Sequence, residues 1–191
     1  MRQMNRIIRE LKARVDAEPD NAEQRQKFDE GRRRQLIFEL QEFQERVKNY
    51  PTDMGLRFEL GKRLFASGQL DEAIGAFQQA KADPKHRSQA HWFLGQCYIR
   101  QDWYDEAIAT LREGIESHAL DDDKLALELR YLLMDGLVKS AHRTKDLEQA
   151  KEAQQVASKI LQTKIDFRDI RHRMDEVKKL VEKLMDDNKG E

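Results

Sequence analysis

Residues 60–74 read LGKRLFASGQLDEAI, and residues 94–108 read LGQCYIRQDWYDEAI. Leu-Gly opens both stretches and Asp-Glu-Ala-Ile closes both, at one shared offset of thirty-four residues. Two motifs repeating at one offset mean a single structural unit built twice. A helical unit of that length cannot bury its own apolar face, so it stacks on its neighbours and presents a surface.

The rest of the chain agrees with helices. Proline lacks the N–H that a helix interior needs and clashes with the preceding turn. It occurs only at Pro19, Pro51 and Pro84, a nearly even spacing that marks joints between helices. Ala, Leu, Glu, Gln, Lys and Arg dominate, all good helix formers. An all-α chain follows.

Working outward, the first unit places helices at 54–66 and 71–82 around Ser67-Gly68-Gln69. The second places them at 88–100 and 104–117. Asp71 and Asp105 fall where a carboxylate meets the unpaired N–H groups and positive end of the second helix. A looser third unit covers 123–141 and 147–161. Asp121–Asp123 cap its first helix, and Asp146 with Gln149 gives a capping-box-like start to its second.

Before the repeats, residues 2–16 form an amphipathic helix with Ile7, Ile8, Leu11 and Val15 on one side. Pro19-Asp20-Asn21 ends it. A helical stretch over 22–49 follows, with an interruption expected near Gly31 and a stripe of Leu36, Leu40, Phe43 and Val47. Tyr50-Pro51-Thr52-Asp53 closes that stretch and caps the next. After the repeats, a helix over 167–186 has Asp166 as its expected N-cap. Its seam is Phe167, Ile170, Met174, Val177, Val181 and Leu184, fit either to cap the array or to pair with another chain. Asp186–Glu191 are expected to fray. The chain thus divides into an extension or degenerate repeat at 1–50, an array at 51–162 (units 54–87, 88–122 and 123–162), and a capping helix with its tail at 163–191.

These residues resemble the tetratricopeptide repeat, a thirty-four-residue helix–turn–helix unit. Leu60, Gly61, Leu64, Gly68, Ala73, Phe77 and Ala80 carry the likeness in the first unit. Leu94, Gly95, Tyr98, Ala107, Leu111 and Gly114 carry it in the second. The third keeps Leu133 and Ala150 but has Met134 where glycine is expected. Extra helices before a short array are similar to the layout of bacterial scaffold proteins of this family. The resemblance implies a right-handed α-solenoid of antiparallel helix pairs with N- and C-terminal flanking helices.

It also implies a groove lined by the first helix of each pair. Carried over by register, its positions are Phe58, Lys62 and Phe65, then Trp92, Gln96, Ile99 and Arg100, then Tyr131, Asp135 and Lys139. Aromatics anchor interfaces, yet a stripe at helical spacing also builds cores. The Phe58/Trp92/Tyr131 ladder is therefore open to either role. Some family members clamp acidic chaperone tails through lysine and asparagine. Phe58 and Phe93 stand at two of those polar positions, which implies that this activity is absent.

Composition narrows the function classes. Charged residues make up 37% of the chain, with Lys+Arg 35 against Asp+Glu 36. Such balance reads as solvated helix faces, not as a nucleic-acid-binding field. Arg32-Arg33-Arg34, flanked by Asp29, Glu30 and Glu39, reads the same way. Cys97 is alone, which excludes an internal disulfide and fits a reducing compartment. No apolar run approaches the ~18 residues of a membrane span, and the first residues lack a signal-peptide core. A cytoplasmic location without membrane insertion is expected. Neither His86, His91, His118, His142 nor His172 pairs with another at helical spacing, and no metal set or cofactor motif appears. The expected function is a protein- or peptide-binding adaptor without catalysis, metal or cofactor. The alternative is a structural protein that self-associates through its terminal helices.

Overall fold

The computed structural model describes residues 2–188. Among them are nine helices: α1 (Arg2–Ala17), α2 (Ala22–Asn49), α3 (Met54–Ser67), α4 (Leu70–Ala80), α5 (Arg87–Arg100), α6 (Tyr104–Glu116), α7 (Lys124–Thr144), α8 (Leu147–Thr163) and α9 (Ile170–Asp187). Each packs on the next in sequence, and the first helices of successive pairs also touch, α3 with α5 and α5 with α7. Contacts that run only between neighbours make a quasi-one-dimensional stack.

Short polar side chains set four of the helix starts. Asn21, Asp53, Asp123 and Asp146 accept from the N–H groups of Gln24, Leu56, Ala126 and both Glu148 and Gln149. These bonds satisfy donors the helix itself leaves unpaired. In α4 and α6 the caps are Gln69 and Trp103, which make no side-chain bond. Asp71 and Asp105 lie one step inside, in the first turn, where they act through the helix's positive end. Gly68 turns the chain at φ 82, and Asp102 does so in the second unit at φ 59.

The core forms where the two helices of a pair cross. Gly61 faces Phe77 and Gly95 faces Leu111, both partners wholly buried. Ala73 and Ala107 are also fully enclosed. In the third unit Met134 is completely buried, and α8 turns Ala150, Ala153 and Ala157 inward with no exposure.

Four expectations are corrected. α2 runs unbroken through Gly31, because there the absent side chain admits α1: a Cβ would meet Ile8 Cδ1 at 2.9 Å and Leu11 Cδ1 at 3.2 Å. Ile7 is exposed, so the inner face of α1 is Ile8, Leu11 and Val15. α9 starts at Ile170 with Asp169 before it, since Arg168 adopts φ 49, which a right-handed helix cannot contain. Phe167 stays buried from the turn that precedes the helix. Asp186 and Asp187 belong to α9 instead of a frayed tail; the expected fraying of 189–191 lies outside the described residues.

Candidate functional site

α3, α5 and α7 lie side by side along the stack. Packing separates the rungs of the aromatic ladder. Phe58 is 2% exposed. His86, from the α4–α5 turn, lies parallel on its ring at 4.7 Å, while Phe77 and Phe93 approach edge-on at 5.8 and 5.9 Å. Ile99 is buried beside Gly136. Neither Phe58 nor Ile99 presents itself to a ligand, contrary to their place in the sequence-derived groove.

Trp92 is half-buried, edge-on to Phe93 at 4.9 Å. Phe93 itself stacks on Phe77 at 4.8 Å and meets Phe65 at 5.5 Å. The Arg100 guanidinium sits 4.0 Å from the Phe65 ring centre while its side chain remains exposed. Trp92, Phe93, Phe65 and Arg100 thus form one continuous wall, in which half-buried rings rest on buried ones. Lys62 belongs to its edge, paired with Glu59 at 2.8 Å and 5.6 Å from the Phe58 ring centre. Beside the wall, the Gln96 Nε2 is enclosed and has no protein acceptor.

The third unit's positions are engaged by α9. The Tyr131 hydroxyl donates to Asp169 Oδ1 at 2.5 Å, and the Arg168 guanidinium lies 4.9 Å from its ring centre. Burial, reinforced by the Asp169 carboxylate, pushes the Tyr131 hydroxyl up to about 12. The same hydrogen bond holds Asp169 below the ordinary carboxylate value. Asp135 binds Arg173 at 2.7 Å and Lys139 at 2.9 Å. Arg173 is the contributor that sequence register missed, while Phe93, read there only as replacing a polar clamp residue, joins the wall. Phe93 neighbours the expected Trp92, and Arg173 sits on a helix read only as a cap.

Cys97 is fully buried, and desolvation pushes its thiol up to about 12. Among the described residues no group of three His, Cys, Asp or Glu side chains is placed to hold a metal ion. None of the described helices is long and apolar enough to cross a membrane.

A stack of antiparallel helix pairs, with glycines at its tightest crossings, defines a helical repeat protein. Residues 64–130 match the model of the tetratricopeptide repeat, so that segment carries the repeat signature. No curated protein sequence matches it. Two crystal structures of MamA are similar. One has 16% identity and a TM-score of 0.61, covering 85% of this chain and 94% of that one. The other has 15% identity and a TM-score of 0.62, covering 97% and 88%. YrrB, described as a TPR protein with an unusual peptide-binding site, has 17% identity and a TM-score of 0.55 over 78% of this chain and 75% of its own. These likenesses establish the fold, a right-handed α-solenoid.

Proposed function

We propose that the chain is a scaffold that binds a protein or peptide on the inner face of α3, α5 and α7, without catalysing a reaction. The Trp92–Phe93–Phe65–Arg100 wall carries this reading. Tryptophan and arginine supply a large share of binding energy where a contact is desolvated. Here they are held before binding: Phe93 stacks on buried Phe77, and Arg100 is placed over Phe65. Little ordering entropy then remains to oppose association. The peptide-binding site named for YrrB, a structure of the same fold, supports the same class of partner. Lone, buried Cys97 fits the cytoplasmic location that belongs to this reading.

The test is recovery of partners from the source cell with the wild-type chain and with Trp92→Ala combined with Arg100→Glu. Loss of recovery, with the thermal midpoint unchanged, supports the wall as the binding surface. Undiminished recovery overturns it.

A second reading rests on α2, where Ile37 and Phe38 are 50% and 41% exposed. Such side chains are available for self-association through the N-terminal helices. Light scattering across a concentration series decides the matter, because a concentration-independent monomer eliminates this reading.

A further inference from the structure

α2 carries a stripe of side chains that neither neighbouring helix covers. α1 lies against Gly31 and Gln35, and α3 against Glu39 and Phe43. On the remaining side Glu30, Arg34, Ile37, Phe38, Gln41, Glu45 and Lys48 share one helical face, and all are exposed. Ile37 and Phe38 are the apolar members, at 50% and 41% exposure. Glu45 and Lys48 enter no ion pair or side-chain hydrogen bond among the described residues, and Arg34 meets Glu30 only at 3.9 Å.

The stripe is its own complement. Arg34 stands four residues before Phe38, and Glu45 stands four residues after Gln41. Glu30 stands eight before the first, and Lys48 seven after the second. A second α2 laid antiparallel, with a twofold axis between Phe38 and Gln41, sets Arg34 opposite Glu45 and Glu30 opposite Lys48. Symmetry makes each of these contacts twice. Ile37 and Phe38 of both copies gather around the axis. A parallel arrangement would instead set Arg34 on Arg34 and Glu45 on Glu45.

We propose that α2 pairs with the α2 of a second copy of this chain, antiparallel and centred between Phe38 and Gln41. The inference rests on the self-association reading above and deepens it by naming the surface and its orientation. Complementary charge around an apolar contact fixes register and suppresses the wrong arrangement. An anionic lipid surface is the poorer match, because Glu30 and Glu45 share the stripe with Arg34. Two apolar side chains per copy, along roughly 27 Å of helix, place the contact in the small, transient class.

Sedimentation equilibrium of the full chain from about 5 to 500 µM, a range suited to a transient contact, tests the pairing. The wild type passes from monomer to dimer across that range. Arg34→Glu and Glu45→Arg each place like charges at two contacts and weaken dimerisation by about 10-fold. Both changes in one chain exchange the signs and restore wild-type dimerisation, as does an equimolar mixture of the two single variants. Ile37→Ser with Phe38→Ser abolishes it. All four side chains are exposed, so the thermal midpoint stays unchanged in every variant. A wild type that remains monomeric overturns the pairing and the self-association reading together. A dimer indifferent to the charge reversals, or not restored in the double variant, overturns the pairing alone and leaves self-association standing. A monomer that floats with vesicles of equal phosphatidylserine and phosphatidylcholine, and releases them on Ile37→Ser with Phe38→Ser, assigns the stripe to a membrane surface and also overturns the pairing.

Discussion

Gly95 and Leu111 approach more closely than any side chain at position 95 would permit: a Cβ there would lie 2.6 Å from Leu111 Cδ2. Gly61 stands in the same relation to Phe77, with 2.7 Å from that Cβ to the ring. Glycine inside a helix costs about 1 kcal/mol relative to alanine. Both regular units retain it, because the crossing helix occupies the space a methyl group would need.

Alanine is accordingly expected to have opposite effects at two helical glycines. Gly95→Ala should lower stability by about 1–3 kcal/mol through overpacking, despite the better helix propensity. Gly75→Ala, which meets nothing within 4 Å, should raise it by about 0.5–1 kcal/mol. Urea titrations of the two variants make the comparison. A neutral Gly95→Ala would sink the close-approach argument.

His91 gives the fold an acid sensitivity. It is 1% exposed, its Nδ1 has no partner among the described residues, and its Nε2 has only the long 3.4 Å approach of Glu113 Oε2. Burial lowers its proton affinity below that of an ordinary histidine, with nearby Glu113 opposing. The folded ring stays neutral while the unfolded chain takes up the proton. Its contribution is therefore complete above roughly pH 6.5 and declines as the pH falls below that value, until the folded ring also titrates. Stability measured from pH 7 to pH 5 should drop less steeply in His91→Leu than in the wild type.

Tyr131 ties α7 to α9. Removing its hydroxyl in Tyr131→Phe should cost about 1 kcal/mol, the usual net worth of a partly exposed hydrogen bond. Because the folded hydroxyl is raised to about 12, its contribution is full below roughly pH 10, the unfolded value, and is lost as the pH climbs toward the folded one. Ultraviolet titration of the phenolate should show a late-ionising component that vanishes in the variant. An unchanged titration curve would remove the Asp169 contact from the account.

Lys145 ends α7 at φ 60, in the left-handed region that favours glycine. No ion pair or side-chain hydrogen bond holds it there among the described residues. Lys145→Gly should stabilise the chain by roughly 0.5–1 kcal/mol. Calorimetric melting checks the sign.

The thirty-four-residue echo made the paired helices legible because each copy repeats its contacts as well as its residues: Gly61 and Phe77 reappear as Gly95 and Leu111. Local chemistry located the caps at Asp53, Asp123 and Asp146 for the same reason. Gly31 misled, because sequence cannot distinguish a glycine that breaks a helix from one that admits a neighbour. Asp166 misled because the left-handed turn at Arg168 leaves no mark on hydrophobic periodicity. The wall was only half legible. Phe58 and Trp92 share a register, yet His86 covers the first and no ring lies parallel on the second.

The N-terminal hairpin has a consequence for how the molecule breathes. α2 buries none of its twenty-eight residues and α1 buries Ile8, whereas α9 buries six side chains at the other end. α1 packs on α2 and α2 on α3, so losing the first two uncovers one face of α3 and leaves the later pairs in contact. The amides of α1 and α2 should exchange through a local opening far cheaper than global unfolding. The array is thus anchored at its C-terminal end, and the hairpin is an arm that can undock and return while the repeats stay folded.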